Sequence, residues 1–157
     1  MLTKLQKPLR RICVKILLID GPNMNMLGIR EPQIYGTLTY AELVSRVKLH
    51  ALSRGVVVKT FQSNHEGAIV DEIQNALGEF DGIVINPAAY THTSVAIRDA
   101  LAAVSLPTAE VHISEVDSRE EFRKVNLVRD LCFFSVSGKG ADGYLEALDA
   151  VIERLSQ

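Results

Sequence analysis

Tryptophan is absent from this 157-residue chain, cysteine occurs twice and proline five times. Cys13 and Cys132 each lie in an apolar run, with no second cysteine at metal-ligand spacing, so they read as small buried hydrophobes of a reducing compartment. The four histidines, His50, His65, His92 and His112, do not form the HExxH pattern. An excess of positive charge is also missing: 17 Lys and Arg against 19 Asp and Glu leave a net charge of -2, which argues against general nucleic-acid binding. Every apolar run falls short of the roughly 20 residues that span a bilayer. Residues 1–11 are basic and acid-free but lack an apolar h-region, so they read as a flexible basic tail rather than a signal peptide. Residues 12–157 then form a single domain, with a cytoplasmic address and neither membrane nor nucleic acid as a partner.

What the chain does have is a hydrophobic fraction of 47%, enough for one sizeable core. The apolar residues come in short β-branched runs alternating with helical spacings. Strands are expected at Val14 to Ile19, Val56 to Phe61, Ile83 to Ile85, Thr108 to Ile113 and Leu131 to Val136. Between them, Thr39 three residues before Glu42 is a capping box opening a helix with Leu43, Val44, Val47 and Ala51 on one face, closed by Gly55. Ile69, Ile73, Ala76 and Leu77 mark a second helix, and Ser94 caps a third carrying Ile97, Ala100, Leu101 and Val104. Leu148, Val151, Ile152 and Leu155 share a face of the last. Five strands separated by helix-length segments predict an α/β fold, a flavodoxin-like doubly wound five-stranded parallel sheet in three layers. Glu115 to Asp130 is the weakest stretch, with room for a short helix from Ser118.

In such sheets ligands bind beyond the carboxyl ends of the strands, and those positions are unusually polar here. Asp20, Asn23 and Asn25 follow the first strand; Gln62, Ser63, Asn64 and Glu66 the second; Asn86, Tyr90, Thr91 and His92 the third; Glu110, His112, Ser114 and Glu115 the fourth. Such groups can hold a small oxygen-rich molecule, although about half serve equally well as turn formers and caps, Ser63 and Ser94 above all. Arg30, Arg98, Arg119 and Arg123 suit an anionic ligand, with a solvated helix face as the competing reading for Arg119.

Glu110 precedes His112 by two residues and so shares its strand face, where a carboxylate can orient the ring as a general acid. Tyr35 lies five residues after Arg30 in the long loop from Met24 to Leu38; a nearby guanidinium stabilises a phenolate, so a covering loop can create a base when shut. The GxGxxG of Gly138, Gly140 and Gly143 follows the last strand, with no later strand to carry a ribose-binding acid. Close strand-to-helix packing explains it better than a dinucleotide.

Four segments carry a resemblance: GPNMNMLGIREPQIYG from Gly21 to Gly36, FQSNHEG from Phe61 to Gly67, INPAAYTHTSVAIRDAL from Ile85 to Leu101 and EVHISEVDSREEFR from Glu110 to Arg123. Together, and in this order, they resemble the type II 3-dehydroquinate dehydratases; the likeness is strong from Lys15 to Arg123 and thins beyond. It implies anti elimination of water from 3-dehydroquinate to 3-dehydroshikimate through an enolate, with no metal or organic cofactor. By the same likeness Tyr35 is the base and Arg30 its activator. Asn23 holds a water at the enolate oxygen, and His112, supported by Glu110, protonates the leaving hydroxyl. Asn86, His92, Ile113 and Ser114 match substrate-contact positions, Arg123 a hydroxyl-binding position, and Asp99 one tied to substrate binding and the subunit interface. The likeness also implies trimers assembling into a dodecamer. The alternative is a noncatalytic small-anion binding or regulatory module on the same fold. Four departures stand out: Glu115 where the family commonly has Asn, Asp117 where it often has His, Ala88 in place of a frequent glycine, and the segment from Lys124 to Asp130.

Overall fold

The computed structural model describes residues 13–29, 32–116 and 120–157, with Tyr35 described in its backbone alone. The strands are β1 (Lys15–Asp20), β2 (Val57–Gln62), β3 (Gly82–Asn86), β4 (Thr108–Val111) and β5 (Phe134–Val136); the helices are α1 (Pro32–Tyr35), α2 (Tyr40–Ser53), α3 (Glu66–Asn75), α4 (Val95–Val104) and α5 (Gly140–Ser156). All pairings are parallel, in the order β2-β1-β3-β4-β5. This is the doubly wound, flavodoxin-like sheet that the alternation of patterns predicts.

The period of two along β1 divides the core. Ile16 and Leu18 face one layer with Leu43, Val47, Tyr144 and Leu148 of α2 and α5, while Leu17 and Ile19 face the other with Ile69, Ile73, Ile97 and Leu101 of α3 and α4. Both faces of β1 are covered, which is why it reads as a continuous apolar run. Helix ends follow their local chemistry. Thr39 and Glu42 form the capping box, and past Arg54 the amides of Gly55 and Val56 return to the carbonyls of Leu52 and Ala51, a Schellman closure. Ser94 Oγ accepts from Ile97 N at 2.9 Å, as its capping role requires.

Four expectations need correction. β4 stops at Val111, so His112 stands just past the strand, although its amide still donates to Val136 O at 2.9 Å. β5 is shorter than expected because 129–131 form a 3-10 turn. α3 ends at Asn75, which swings Leu77 out of the core to 64% exposure. Gly138 and Gly140 have φ of +75° and +56°, a left-handed backbone that favours glycine; a Cβ on Gly143 would meet Val111 only at an ordinary 3.5 Å. Close packing therefore does not explain this motif. The tail 1–11, and Ser118 with the helix expected from it, lie outside the described residues. From Glu121 to Lys124 the chain forms a 3-10 turn.

Candidate active site

The carboxyl ends of β1 and β3 abut. Gly21 N donates to Asn86 O at 2.8 Å, and a Cβ at Gly21 would lie 2.3 Å from Pro87 O, so only glycine lets the two turns approach this closely. Beyond Gly21, Asn23 takes a left-handed φ of 67° and donates its amide to Asn64 Oδ1 at 3.0 Å. The 3-10 turn Met24–Met26 then directs Met24 and Leu27 inward. These turns and the ends of β3 and β4 enclose a cavity of about 100 Å³, whose lining includes Asn23, Asn86, His92, His112, Ile113, Ser114 and Arg123. Seven residues singled out from the sequence thus meet in one place.

His112 and Glu110 form the polar heart of the wall. Glu110 is fully buried, and its Oε1 lies 2.8 Å from His112 Nε2. A carboxylate only accepts, so Nε2–H donates, and Nδ1 is the ring nitrogen that Glu110 does not engage. Oε1 also accepts from Thr91 Oγ1 at 3.0 Å and Asn126 Nδ2 at 2.8 Å, while Oε2 accepts from Ser135 Oγ at 2.8 Å and lies 3.6 Å from Arg129 Nε. Burial pushes this carboxyl upward, but the hydrogen bond and charge of His112, aided by Asn126 and Ser135, outweigh it and hold the group at about 2. Glu110 is therefore a fixed anion beneath the imidazole. His92 Nδ1 meets Val125 O at 2.5 Å, which makes Nδ1 the donor and leaves Nε2 as an acceptor in the neutral ring.

A second buried network underlies Asn86. Its Nδ2 donates to Tyr144 Oη at 2.7 Å, Tyr144 donates to Asp20 Oδ1 at 2.7 Å, and Tyr40 donates to Asp20 Oδ2 at 3.1 Å. Burial raises the Asp20 carboxyl to about 7, against the lowering effect of the two phenols. Asn86 Oδ1 accepts from Ala88 N at 3.0 Å, and Ala88 holds a left-handed φ of 52°.

Other expected ligand residues go elsewhere. Arg98 pairs with Asp130 and donates to Leu127 O at 2.6 Å, outside the cavity. Asp99 is exposed on α4 and does not line the cavity. Glu115 accepts from Ser137 Oγ at 2.9 Å and likewise lies outside the lining, between Ser114 and Val116, which belong to it. Gln62 and Asn64 brace the edge by bonding to each other, to Gly21 and to Asn23. Ser63 accepts from His65 N at 3.0 Å within a turn, and His65 rather than Ser63 occupies the N-cap of α3. Arg123 remains at the cavity, with its Nε on Glu120 at 2.7 Å. Arg30, Asp117 and Arg119 lie outside the described residues, and Tyr35 ends α1 in the loop joining β1 to α2.

Sequence reasoning did not assign roles to Thr91, Asn126, Ser135 and Tyr144. Ser135 had a signal: it is polar inside an expected strand, and the register pairs it with Glu110. Asn126 had none, because it sits in irregular chain.

A family model described as "Dehydroquinase class II" matches residues 14–152. The chain belongs to the class II dehydroquinase family. A protein of Campylobacter jejuni subsp. doylei named 3-dehydroquinate dehydratase is 54% identical over 144 residues, which cover 92% of this chain and 91% of that protein. A "Catabolic 3-dehydroquinase" of Aspergillus clavatus is 55% identical over 136 residues, covering 87% of this chain and 91% of its own. Among solved structures, a type II dehydroquinase from Butyrivibrio crossotus superposes with a TM-score of 0.87 at 51% identity, covering 89% of this chain and 98% of that one. The family match thus spans all five strands of the sheet.

Proposed function

We propose that this chain is a hydro-lyase, a 3-dehydroquinate dehydratase that converts 3-dehydroquinate to 3-dehydroshikimate by anti elimination through an enolate. The observation that carries this reading is the buried Glu110–His112 pair, opening onto a cavity shared with Asn23, Asn86, Ser114 and Arg123. Tyr35, activated by Arg30, removes the proton alpha to the ketone, and the electron pair moves into the enolate. Asn23 supports charge on the enolate oxygen through a water. His112 then protonates the departing hydroxyl, which leaves as water while the enolate collapses to the conjugated ketone. Glu110 stays ionised throughout and stabilises the imidazolium that serves as acid. Ile113 and Ser114 supply donors to the substrate carboxylate; Asn86, His92 and Arg123 bind its hydroxyls. Support for Tyr35 comes from its place at the end of α1, in the connection after β1, and support for both Tyr35 and Arg30 from family membership.

The residues assigned to these steps are all side chains and backbone of the chain itself. Among the described residues no helix is long and apolar enough to cross a membrane. A cytoplasmic address accords with thiols that are free at Cys13 and Cys132. Assembly of trimers into a dodecamer is proposed from family membership, and sedimentation tests it directly. The deciding experiment is turnover of dehydroquinate by purified protein without added metal, followed by absorbance of the conjugated product. Product formation is expected. Saturable binding of dehydroquinate without turnover at any pH would instead identify a noncatalytic anion-binding module.

A further inference from the structure

We propose that Asn126 is a positioning residue for the general acid, and that residues 125–127 set the hydrogen-bonded state of both cavity histidines. Resting on the dehydratase reading, the inference begins with three consecutive residues of the connection between β4 and β5. Val125 O accepts the Nδ1 proton of His92, Asn126 Nδ2 donates to the Glu110 oxygen that also holds His112, and Leu127 N donates to Thr91 O at 2.9 Å. Thr91 Oγ1 contacts that same Glu110 oxygen.

Asn126 is itself fixed from the other side. Its Oδ1 accepts from Val128 N at 2.9 Å and Arg129 N at 2.8 Å, which leaves the amide nitrogen committed to Glu110. Arg98 anchors the segment beyond by its contacts with Leu127 O and Asp130. The segment lacks regular structure over 125–127, yet it reaches His92 in the cavity wall, Thr91 beside it in sequence, and the Glu110 carboxylate behind His112.

The consequence is chemical as well as mechanical. Each donor on Glu110 shares the negative charge that the carboxylate offers to His112, so removing one leaves a more basic partner and raises the affinity of His112 for its proton. Replacing that donor by a second anion does so more strongly. Among the described residues, the charged and titratable groups facing the pair are Arg129 at Glu110 Oε2, Cys132 near Glu110, Asp130 beyond it, and His92 and Arg123 across the cavity. Neither Asn126 variant alters these groups, so the change in proton affinity can be assigned to position 126.

The test is the pH dependence of kcat for Asn126→Asp and Asn126→Ala beside the parent enzyme. Asn126→Asp retains an acceptor for the amides of Val128 and Arg129, so it preserves the turn while reversing the contact with Glu110. Expected is a ten- to hundredfold lower kcat with KM changed less than threefold, and a basic limb displaced upward by about one pH unit. Asn126→Ala, measured per folded molecule by circular dichroism, should move the limb in the same direction by less. Should either folded variant keep the parental kcat and limb position, the proposal is overturned, even if its thermal stability falls. Lack of turnover by the parent enzyme would instead reject the dehydratase reading, so the two failures are distinguishable.

Discussion

Replacing Glu110 by Gln keeps the shape of the side chain and removes its charge. The carboxyl has an ordinary value of 4.5 and is held at about 2 in the folded chain. At 1.36 kcal/mol per pH unit, that gap corresponds to about 3 kcal/mol of folding stability. Because the folded value is depressed, the contribution is fully present above 4.5 and disappears as pH falls through about 2. About half of it should remain at pH 3. The amide oxygen of Gln can still take the donors of Thr91, Asn126 and His112, and the Ser135 hydroxyl can rotate to accept. Lost charge, rather than lost shape, therefore dominates the effect.

Urea unfolding at one protein concentration, at pH 7 and again near pH 3, measures this directly. Glu110→Gln should be less stable by about 3 kcal/mol at pH 7, with the deficit halved at pH 3. Its kcat should fall by at least about a hundredfold, since His112 loses the anion that favours its acidic form. A pH 7 deficit under about 0.5 kcal/mol together with parental kcat would refute both the depressed carboxyl and its part in supporting the acid.

Three further outcomes follow from other residues. Tyr35→Phe should abolish turnover without changing the circular dichroism spectrum, and near-normal activity would remove Tyr35 from the role of base. Ala88→Gly relieves a left-handed φ of 52° and should raise Tm by about 2 °C, the net of roughly 1–2 kcal/mol of relieved strain and the entropy of glycine; an unchanged or lower Tm would count against strain there. Asp20 has the opposite pH sign to Glu110: its carboxyl is raised from 3.8 to about 7, so stability falls as pH rises between those values. Asp20→Asn should match the parent below pH 4 and exceed its unfolding free energy by up to about 4 kcal/mol at pH 8, and parallel stability curves would refute the assignment.

The sheet was legible because covering both faces of β1 imposes an uninterrupted run of Ile, Leu and Val, and because Thr39, Gly55 and Ser94 carry their end signals locally. The boundaries that slipped depend on contacts beyond the chain's immediate neighbourhood. Leu77 fits the apolar period of α3, but the helix ends two residues before it, so that period does not place it. His112 reads as a strand residue because Val111 and Ile113 flank it, whereas β5 offers it only one further bond, from Val136 O.

The same distinction decides what could be read of the site. Glu110 and His112 are two residues apart at the end of β4, so the alternation of side chains along the chain puts them on one side, where they meet at 2.8 Å. Asn126 reaches Glu110 from 16 residues away, through chain with no period to interpret. Arg98 exposes the converse error: its place at the helix start beside polar turns suggests an anion site, yet Asp130 and Leu127 O satisfy the guanidinium. An arginine near a sheet edge is equally fit to bind a ligand or to fasten a crossing segment, and only knowledge of where that segment runs separates the two. Here it fastens the segment that carries Asn126, so an arginine whose position suits an anion holds a crossing chain instead.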